Sequence, residues 1–254
     1  MTRVLISGHA GKMGRALAQS IKDRDDCLLA AGVDIMADSN DFDFPSYTGF
    51  EQVKTQVDLI IDFSNPSTLD ALLAFAINNK LPLVIATTGF SEEQIEKISR
   101  AAEDIPLFFS ANMSLGVSLL ADLAQKAAKV LGSAFDIEIV EKHHNQKIDA
   151  PSGTALMLAD SVSQAFKEKP KYVYERHSKR EKRSKNEVGI HAIRGGTITG
   201  EHDVIFAGPD EILTLSHSAG SRQIFATGAI SAALFIRGKK PGLYKMSDLV
   251  EAEE

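Results

Sequence analysis

The chain has 254 residues, 44% of them hydrophobic and 24% charged, which suits a globular protein with apolar mass for one large domain or two modest ones. Its net charge of −6 argues against a general nucleic-acid-binding surface, so a site for an acidic ligand has to be a local concentration of cations. The single cysteine, Cys27, excludes an intrachain disulfide framework and reads as a buried structural thiol in a reducing compartment. There is no signal-peptide h-region at the N-terminus, and no apolar run reaches the roughly 20 residues of a membrane span. A soluble cytoplasmic protein is expected.

Val4-Leu5-Ile6 predicts a strand that ends at Gly8, and the periodic segment from Met13 to Ile21 predicts a helix after it. Leu28 to Val33 is a second strand closed by Asp34, and Val57 to Phe63 a third closed by Ser64-Asn65-Pro66. Leu69, Leu72, Leu73 and Ala76 give helical spacing to a segment from about Ser67 to Asn78. Leu83 to Ala86 leads into Thr87-Thr88-Gly89, Ser91 and Gln94 have the spacing of a capping box, and Pro106 to Phe109 is another buried strand. Strands that are apolar without alternation and separated by helices imply a parallel sheet covered on both faces.

The pattern changes after about Asn112. An amphipathic segment from Leu115 to Leu131 precedes Asp136-Ile-Glu-Ile-Val140, whose alternation predicts a sheet with one more polar face. A helix is predicted to start near Ser152 and run to about Phe166. Lys179-Arg-Glu-Lys-Arg183 has an interleaved glutamate and no clustered aromatics, so it reads as a solvated loop rather than a nucleic-acid patch. Val188 to Ile193, Ile198 to Ala207 and Glu211 to His217 read as strands, and the last periodic helix, about Gln223 to Ile236, is expected to pack back on the first domain.

Gly8-His-Ala-Gly11-Lys-Met-Gly14 lies between a predicted strand and a predicted helix, the context that a dinucleotide fingerprint requires. One glycine makes the tight turn, another lets the backbone approach a pyrophosphate, and the helix N-terminus directs unpaired N–H groups at that anion. The spacing G-x-x-G-x-x-G is less specific than G-x-G-x-x-G. Asp34, at the end of the second strand, is placed to accept hydrogen bonds from the adenosine ribose. Ile35 and Met36 follow it where a cation would greet a 2′-phosphate, which favours NADH on charge; Lys12 could reach a 2′-phosphate or the pyrophosphate.

Glu141-Lys-His-His-Asn-Gln-Lys-Ile-Asp-Ala-Pro-Ser-Gly-Thr154 places two imidazoles and two lysines before a turn into a helix. A helix N-terminus with hydroxyls, together with Lys147, suits two carboxylates on one small molecule. His143 or His144 can donate or accept a proton during hydride transfer. No third ligand stands at zinc-site spacing and no G-x-S-x-G elbow is present, so neither a metal site nor a serine hydrolase is expected.

These segments carry a resemblance over nearly the whole chain: the glycine loop, Thr87-Thr88-Gly89-Phe90, Ser110 to Val117, Glu141 to Ala155, Arg194-Gly-Gly-Thr-Ile-Thr-Gly-Glu-His202 and Ser218 to Arg222. The sequence resembles the 4-hydroxy-tetrahydrodipicolinate reductase (dihydrodipicolinate reductase) family, and the His-His-x-x-Lys-x-Asp-Ala-Pro-Ser-Gly-Thr block is specific to it. The resemblance implies NAD(P)H-dependent reduction of a cyclic hydroxy-imine dicarboxylate in the diaminopimelate and lysine pathway. By position it implies His143 as proton donor or acceptor, Lys147 as second proton donor, and His144, Gly153 and Thr154 as substrate contacts, with Ser152 in the same turn. On the cofactor side it implies Gly8, His9, Ala10, Gly11, Lys12, Met13, Asp34, Thr87, Thr88, Ser110, Ala111, Asn112 and Met113, with NADH or NADPH bound. Ala86, also placed with this set, stands where many members have glycine, and Ile35 where many have arginine. A homotetramer assembled largely through the second domain is implied as well.

The expected architecture is α/β: a Rossmann-like dinucleotide-binding domain with a parallel sheet, residues 1–113 and 223–254, and a smaller α+β substrate-binding and oligomerisation domain, residues 114–222. Two rival functions are a sensor that binds NAD(H) without turnover and a related amino-acid dehydrogenase. A sensor needs no proton donor beside an anion site, and a semialdehyde dehydrogenase would want a nucleophilic cysteine, for which Cys27 is in the wrong domain.

Overall fold

The computed structural model describes residues 1–36 and 42–252. It divides into two compact units, Met1–Leu115 with Arg222–Glu254, and Gly116–Ser221; the last two residues lie outside those described.

The first unit opens with β1 (Thr2–Ser7), α1 (Lys12–Lys22), β2 (Cys27–Val33), the two-residue β3 (Ser46–Tyr47), β4 (Leu59–Asp62), α2 (Leu69–Asn78), β5 (Leu83–Ile85), α3 (Glu92–Ala101) and β6 (Pro106–Phe109). The middles of its strands are apolar without alternation because both faces are covered, and successive residues supply opposite layers. Val4, Ile6, Leu59 and Ile61 join Leu17 and Ile21 of α1 in one core. Leu5, Ile60, Leu83 and Ile85 join Leu69, Leu72 and Ala76 of α2 and Ile98 of α3 in the other. Ser91 caps α3 in the reciprocal arrangement that its spacing predicts, accepting from the Gln94 N–H while the Gln94 side chain accepts from the Ser91 N–H.

The second unit takes up the chain with α4 (Leu115–Leu131), β7 (Asp136–His143), α5 (Gly153–Ser163), β8 (Lys171–Val173), β9 (Glu187–Arg194), β10 (Glu201–Ala207) and β11 (Ile212–Ser218). Its five-stranded sheet has the order β11-β10-β7-β9-β8, antiparallel on one side of β7 and parallel on the other. Alternation along β7 sends Ile137 and Ile139 into a core with Leu120 and Ala124 of α4 and Leu158 of α5, and leaves Glu138, Val140 and Lys142 on the other, partly exposed face.

Back in the first unit, α6 (Gln223–Ile236) is followed by β12 (Gly242–Tyr244) and α7 (Met246–Ala252). Ala226, Ala229, Ile230, Ala233 and Ile236 of α6 pack into the α1-side core. The sheet is completed as β12-β6-β5-β4-β1-β2-β3, with every neighbouring pair parallel. The short strands β3, β8 and β12 leave no apolar run in the sequence, unlike the equally short β5, which is wholly apolar.

The basic run at 179–183 contains one residue that is not solvated. The Arg183 guanidinium donates to Glu138 at 3.0 Å, Asp136 at 2.9 Å and the carbonyls of Ile137, Ser184 and Glu187 at 3.0, 2.8 and 2.7 Å. That side chain fastens the loop to β7 and β9, and a guanidinium so occupied offers no donor to a phosphate.

Candidate active site

In the first unit the site begins where β1 ends. Gly8 has φ +82°, and a Cβ there would stand 2.5 Å from the Phe63 carbonyl oxygen, so only glycine turns the chain here without strain or collision. The helix that follows is left open at its N-terminus: Gly11 is the N-cap with no side-chain cap, and the first turn holds no acidic residue. Its unpaired N–H donors are therefore available to an anion. A cavity of about 460 Å3 borders this turn and includes Gly8, Gly11, Asp34, Phe63, Ser64 and Asn65 in its wall. Asp34 is held by backbone donors, accepting from Ala10 N at 3.1 Å and Met36 N at 2.9 Å. Glycine turn, uncapped helix and fixed carboxylate fit the pyrophosphate and ribose of a dinucleotide.

Other cofactor-side residues named from the sequence are spread around this turn, outside the cavity wall. His9 as a whole is 1% exposed, its imidazole bonded through Nε2 to Ser46 Oγ at 2.8 Å and packed on Phe42 and Phe44. Burial holds it below its ordinary range. Lys12 is exposed, Met13 packs against the α1-side core and Ala86 lies within it. Thr87 is buried and Thr88 exposed. Ser110 donates to the Asn112 carbonyl at 2.7 Å, shaping the turn of residues 110–113, and the buried Met113 carries its carbonyl so close to Gly228 of α6 that a Cβ would not fit between them.

Asp62, at the end of β4, was not among the expected site residues. It is 1% exposed and accepts from Ser64 Oγ at 2.5 Å and Thr87 Oγ1 at 2.6 Å. Burial raises its carboxyl above the usual range, against those hydroxyls. It ties the ends of β4 and β5 beside the glycine turn.

In the second unit His143 ends β7 and is 9% exposed. Its Nδ1 lies 2.6 Å from Oε2 of Glu141, two residues earlier on the same inward face. Glu141 is wholly buried, and it also accepts two bonds of 2.7 Å from Arg194 and one of 3.0 Å from Ser152 N. Burial alone would raise its carboxyl, but Arg194, His143 and the Ser152 N–H outweigh that and hold it below its ordinary value. Arg194 is in register with His143 on β9 and also donates to the Asp149 carbonyl at 2.6 Å.

The turn into α5 completes this cluster. Ser152 is its N-cap, accepting from Ala155 N at 3.2 Å, and its Oγ lies 3.1 Å from Nε2 of His202. His202 is 4% exposed, packs edge-on against His143 with centroids 5.2 Å apart, and is pushed down to about 4, first by burial and then by His143. Lys147 pairs with Asp149 at 2.9 Å. Gly153 is exposed at the first position of α5, while Thr154 and His144 are half-buried. Glu141, Arg194 and His202 are additions to the expected set, although all three fall inside the quoted segments. Among the described residues no cluster of histidine, cysteine or acidic side chains could hold a metal ion.

An all-parallel sheet whose glycine turn and strand-end carboxylate fit a dinucleotide, in one chain with a buried imidazole–carboxylate cluster, matches an NAD(P)H-dependent oxidoreductase. Two family profiles match: Dihydrodipicolinate reductase, N-terminus, over residues 2–113, and Dihydrodipicolinate reductase, C-terminus, over residues 116–250. The chain belongs to the dihydrodipicolinate reductase family.

Its relatives include the 4-hydroxy-tetrahydrodipicolinate reductase of Caldanaerobacter subterraneus subsp. tengcongensis, 54% identical and covering 99% of each chain, and that of Clostridium tetani, 46% identical over 99% of this chain and 98% of the relative. Among solved structures, the dipicolinate-bound dihydrodipicolinate reductase of Paenisporosarcina sp. TG-14 is 26% identical and superposes with a TM-score of 0.79 over 96% of this chain and 97% of that one. A probable dehydrogenase from Thermotoga maritima, 12% identical with a TM-score of 0.63 over 98% of this chain and 93% of that one, shares the fold alone.

Proposed function

We propose that His143 and Lys147 carry the proton chemistry of the family's reaction, and that Ser152, Gly153, Thr154 and His144 hold its substrate. That reaction, and the activity of this chain, is the NAD(P)H-dependent reduction of 4-hydroxy-tetrahydrodipicolinate to tetrahydrodipicolinate in diaminopimelate and lysine biosynthesis. One hydride and one proton enter, one water leaves, and the cofactor is oxidised. The observation that carries the residue assignment is the cluster Glu141–His143–Ser152 at the end of β7, where an imidazole held by a buried carboxylate stands beside the Ser152-capped N-terminus of α5.

The first unit, on this reading, is the dinucleotide-binding domain. Gly8, Gly11 and the first N–H groups of α1 receive the pyrophosphate, and Asp34 accepts from the ribose. The nicotinamide, when bound, supplies the hydride. Residues 86–88 and 110–113 bound the strand ends beside the glycine turn, and we assign them to its nicotinamide half. The absence of a cation at Ile35 and Met36 favours NADH over NADPH.

The second unit is the substrate domain. The dipicolinate named in the related structure is a small dicarboxylate, and the N-terminus of α5 with its hydroxyls suits one carboxylate while the Lys147 ammonium suits the other. His143 gives or takes a proton at the reacting centre, and Lys147 is the second donor. We further propose a homotetramer assembled through the second unit, whose sheet has α4 and α5 on one face only and exposes Ile193 and Ile212. No helix among the described residues is long and apolar enough to cross a membrane, and we place the protein in the cytoplasm on the strength of its single buried thiol.

The test is a coupled assay with freshly made substrate and either NADH or NADPH. His143→Gln is expected to lower kcat by roughly 100-fold while changing cofactor affinity little. A variant that keeps wild-type kcat would remove His143 from the proton step. Wild-type protein that binds NADH without turnover would favour a sensor, for which the comparisons give no support.

A further inference from the structure

We infer that Glu141 is a positioning residue for the proton step: it keeps a proton on Nδ1 of His143, which leaves Nε2 as the one ring atom that exchanges a proton with substrate. This rests on the reading that His143 handles protons.

Donors and acceptors around Glu141 decide which His143 nitrogen holds the proton. Glu141 receives four contacts: Arg194 Nη1 on Oε2 and Nη2 on Oε1, both at 2.7 Å, Ser152 N on Oε1 at 3.0 Å, and His143 Nδ1 on Oε2 at 2.6 Å. The guanidinium and the backbone amide can only donate. A two-pronged arginine keeps the carboxyl ionised, and an ionised carboxylate can only accept. The fourth partner must then donate too, so the 2.6 Å contact carries its hydrogen on Nδ1 in both the neutral and the charged ring.

Geometry makes this arrangement rigid. Glu141 and His143 stand two residues apart on β7, facing the same way, while β9 and the α5 turn each pin one side of the carboxylate. The charged and titratable groups about His143 are Glu141 on its own strand, Arg194 of β9, which shares Glu141 Oε2, and His202 of β10, which packs on the ring. None of these bonds to Nε2. Gly200 keeps that atom clear: a Cβ there would stand 3.0 Å from Nε2, which would crowd the ring.

A purely structural reading, in which Glu141 and Arg194 only staple β7 to β9, makes a different prediction. The experiment is nitrogen NMR on the full-length protein with 15N-labelled histidine, at a pH where His143 is neutral, together with kinetics of Glu141→Gln and Glu141→Asp. The expected spectrum has Nδ1 protonated and Nε2 bare. In Glu141→Gln that preference is expected to weaken or reverse, and kcat to fall by roughly 100-fold with NADH affinity held within about twofold. Glu141→Asp is expected to regain part of both. A wild-type spectrum with the proton on Nε2 would overturn the inference, and so would Glu141→Gln with unchanged kcat. If Glu141→Gln does not fold, the wild-type spectrum still decides. Wild-type kcat in His143→Gln would refute the underlying reading of His143 while leaving the tautomer result standing.

Discussion

The glycine turn after β1 and the histidine segment after β7 are both places where a strand ends ahead of a helix N-terminus, yet they are built in opposite ways. The first works by omission: Gly8 has no side chain to strike Phe63, and α1 has no side-chain cap to occupy its donors. The second works by accumulation, with a buried carboxylate, a guanidinium and two imidazoles crowded about the Ser152 cap. A pyrophosphate that does not react needs only close backbone donors, whereas a group that changes protonation has to be held in charge and tautomer by neighbours. Substitutions in the first place should therefore act through space, and in the second through charge.

Gly8→Ala is the largest test of the first half of that contrast. The left-handed backbone would cost about 1–3 kcal/mol of strain, and the added methyl would push the turn off Phe63. NADH affinity is expected to drop roughly 100-fold, near 3 kcal/mol, with the kcat of whatever cofactor does bind much less affected. Fluorescence titration with NADH and a thermal melt would read both. Unchanged affinity would show that the backbone at Gly8 does not approach the cofactor.

Much of this contrast is legible in the sequence, for a physical reason. Glycine spacing and apolar runs are local, so β1, α1, β4 and the cap at Ser91 follow from short windows. The inward position of Glu141 is legible too, since Ile137, Ile139, Glu141 and His143 alternate along one strand, and a carboxylate in that series has to find partners. Its main partner, Arg194, and the His202 ring that packs on His143 come from strands more than 50 residues away, and the register that brings them to this end of β7 is set by packing of the whole sheet. The same limit hid the role of Arg183, whose acceptors lie on β7 and on backbone carbonyls that no charge pattern reveals. Asp62 went unmarked because a strand-end aspartate in a short window looks like a turn residue; its burial depends on β5 delivering Thr87.

His202 sharpens the second half. Its folded value near 4 against an ordinary 6.5 means that the fold prefers the neutral ring. The stability this provides is full above 6.5 and is lost as pH falls from 6.5 through 4, because the unfolded chain binds the proton first. The gap corresponds to roughly 3 kcal/mol at most. Urea denaturation at pH 7 and pH 4.5 should show a steep loss in the wild type and a shallower one in His202→Gln, the remainder including His9 and His217, which burial also lowers. Equal losses in the two proteins would mean that His202 is solvated in the native state.

The smallest effect is expected at Asp34, where the two modes of construction meet. It is a side chain, but its orientation is fixed by the amides of Ala10 and Met36, so it belongs to the turn as much as to the ligand. If it accepts from the ribose hydroxyls, Asp34→Ala removes a bond that NADH makes and also relieves a repulsion that a 2′-phosphate meets. KM should then rise several-fold for NADH, equivalent to about 1 kcal/mol, and less for NADPH. Equal rises for both cofactors would have a different meaning: Asp34 would be acting only on the shape of the turn, through Ala10, and the glycine loop would owe its specificity to space alone.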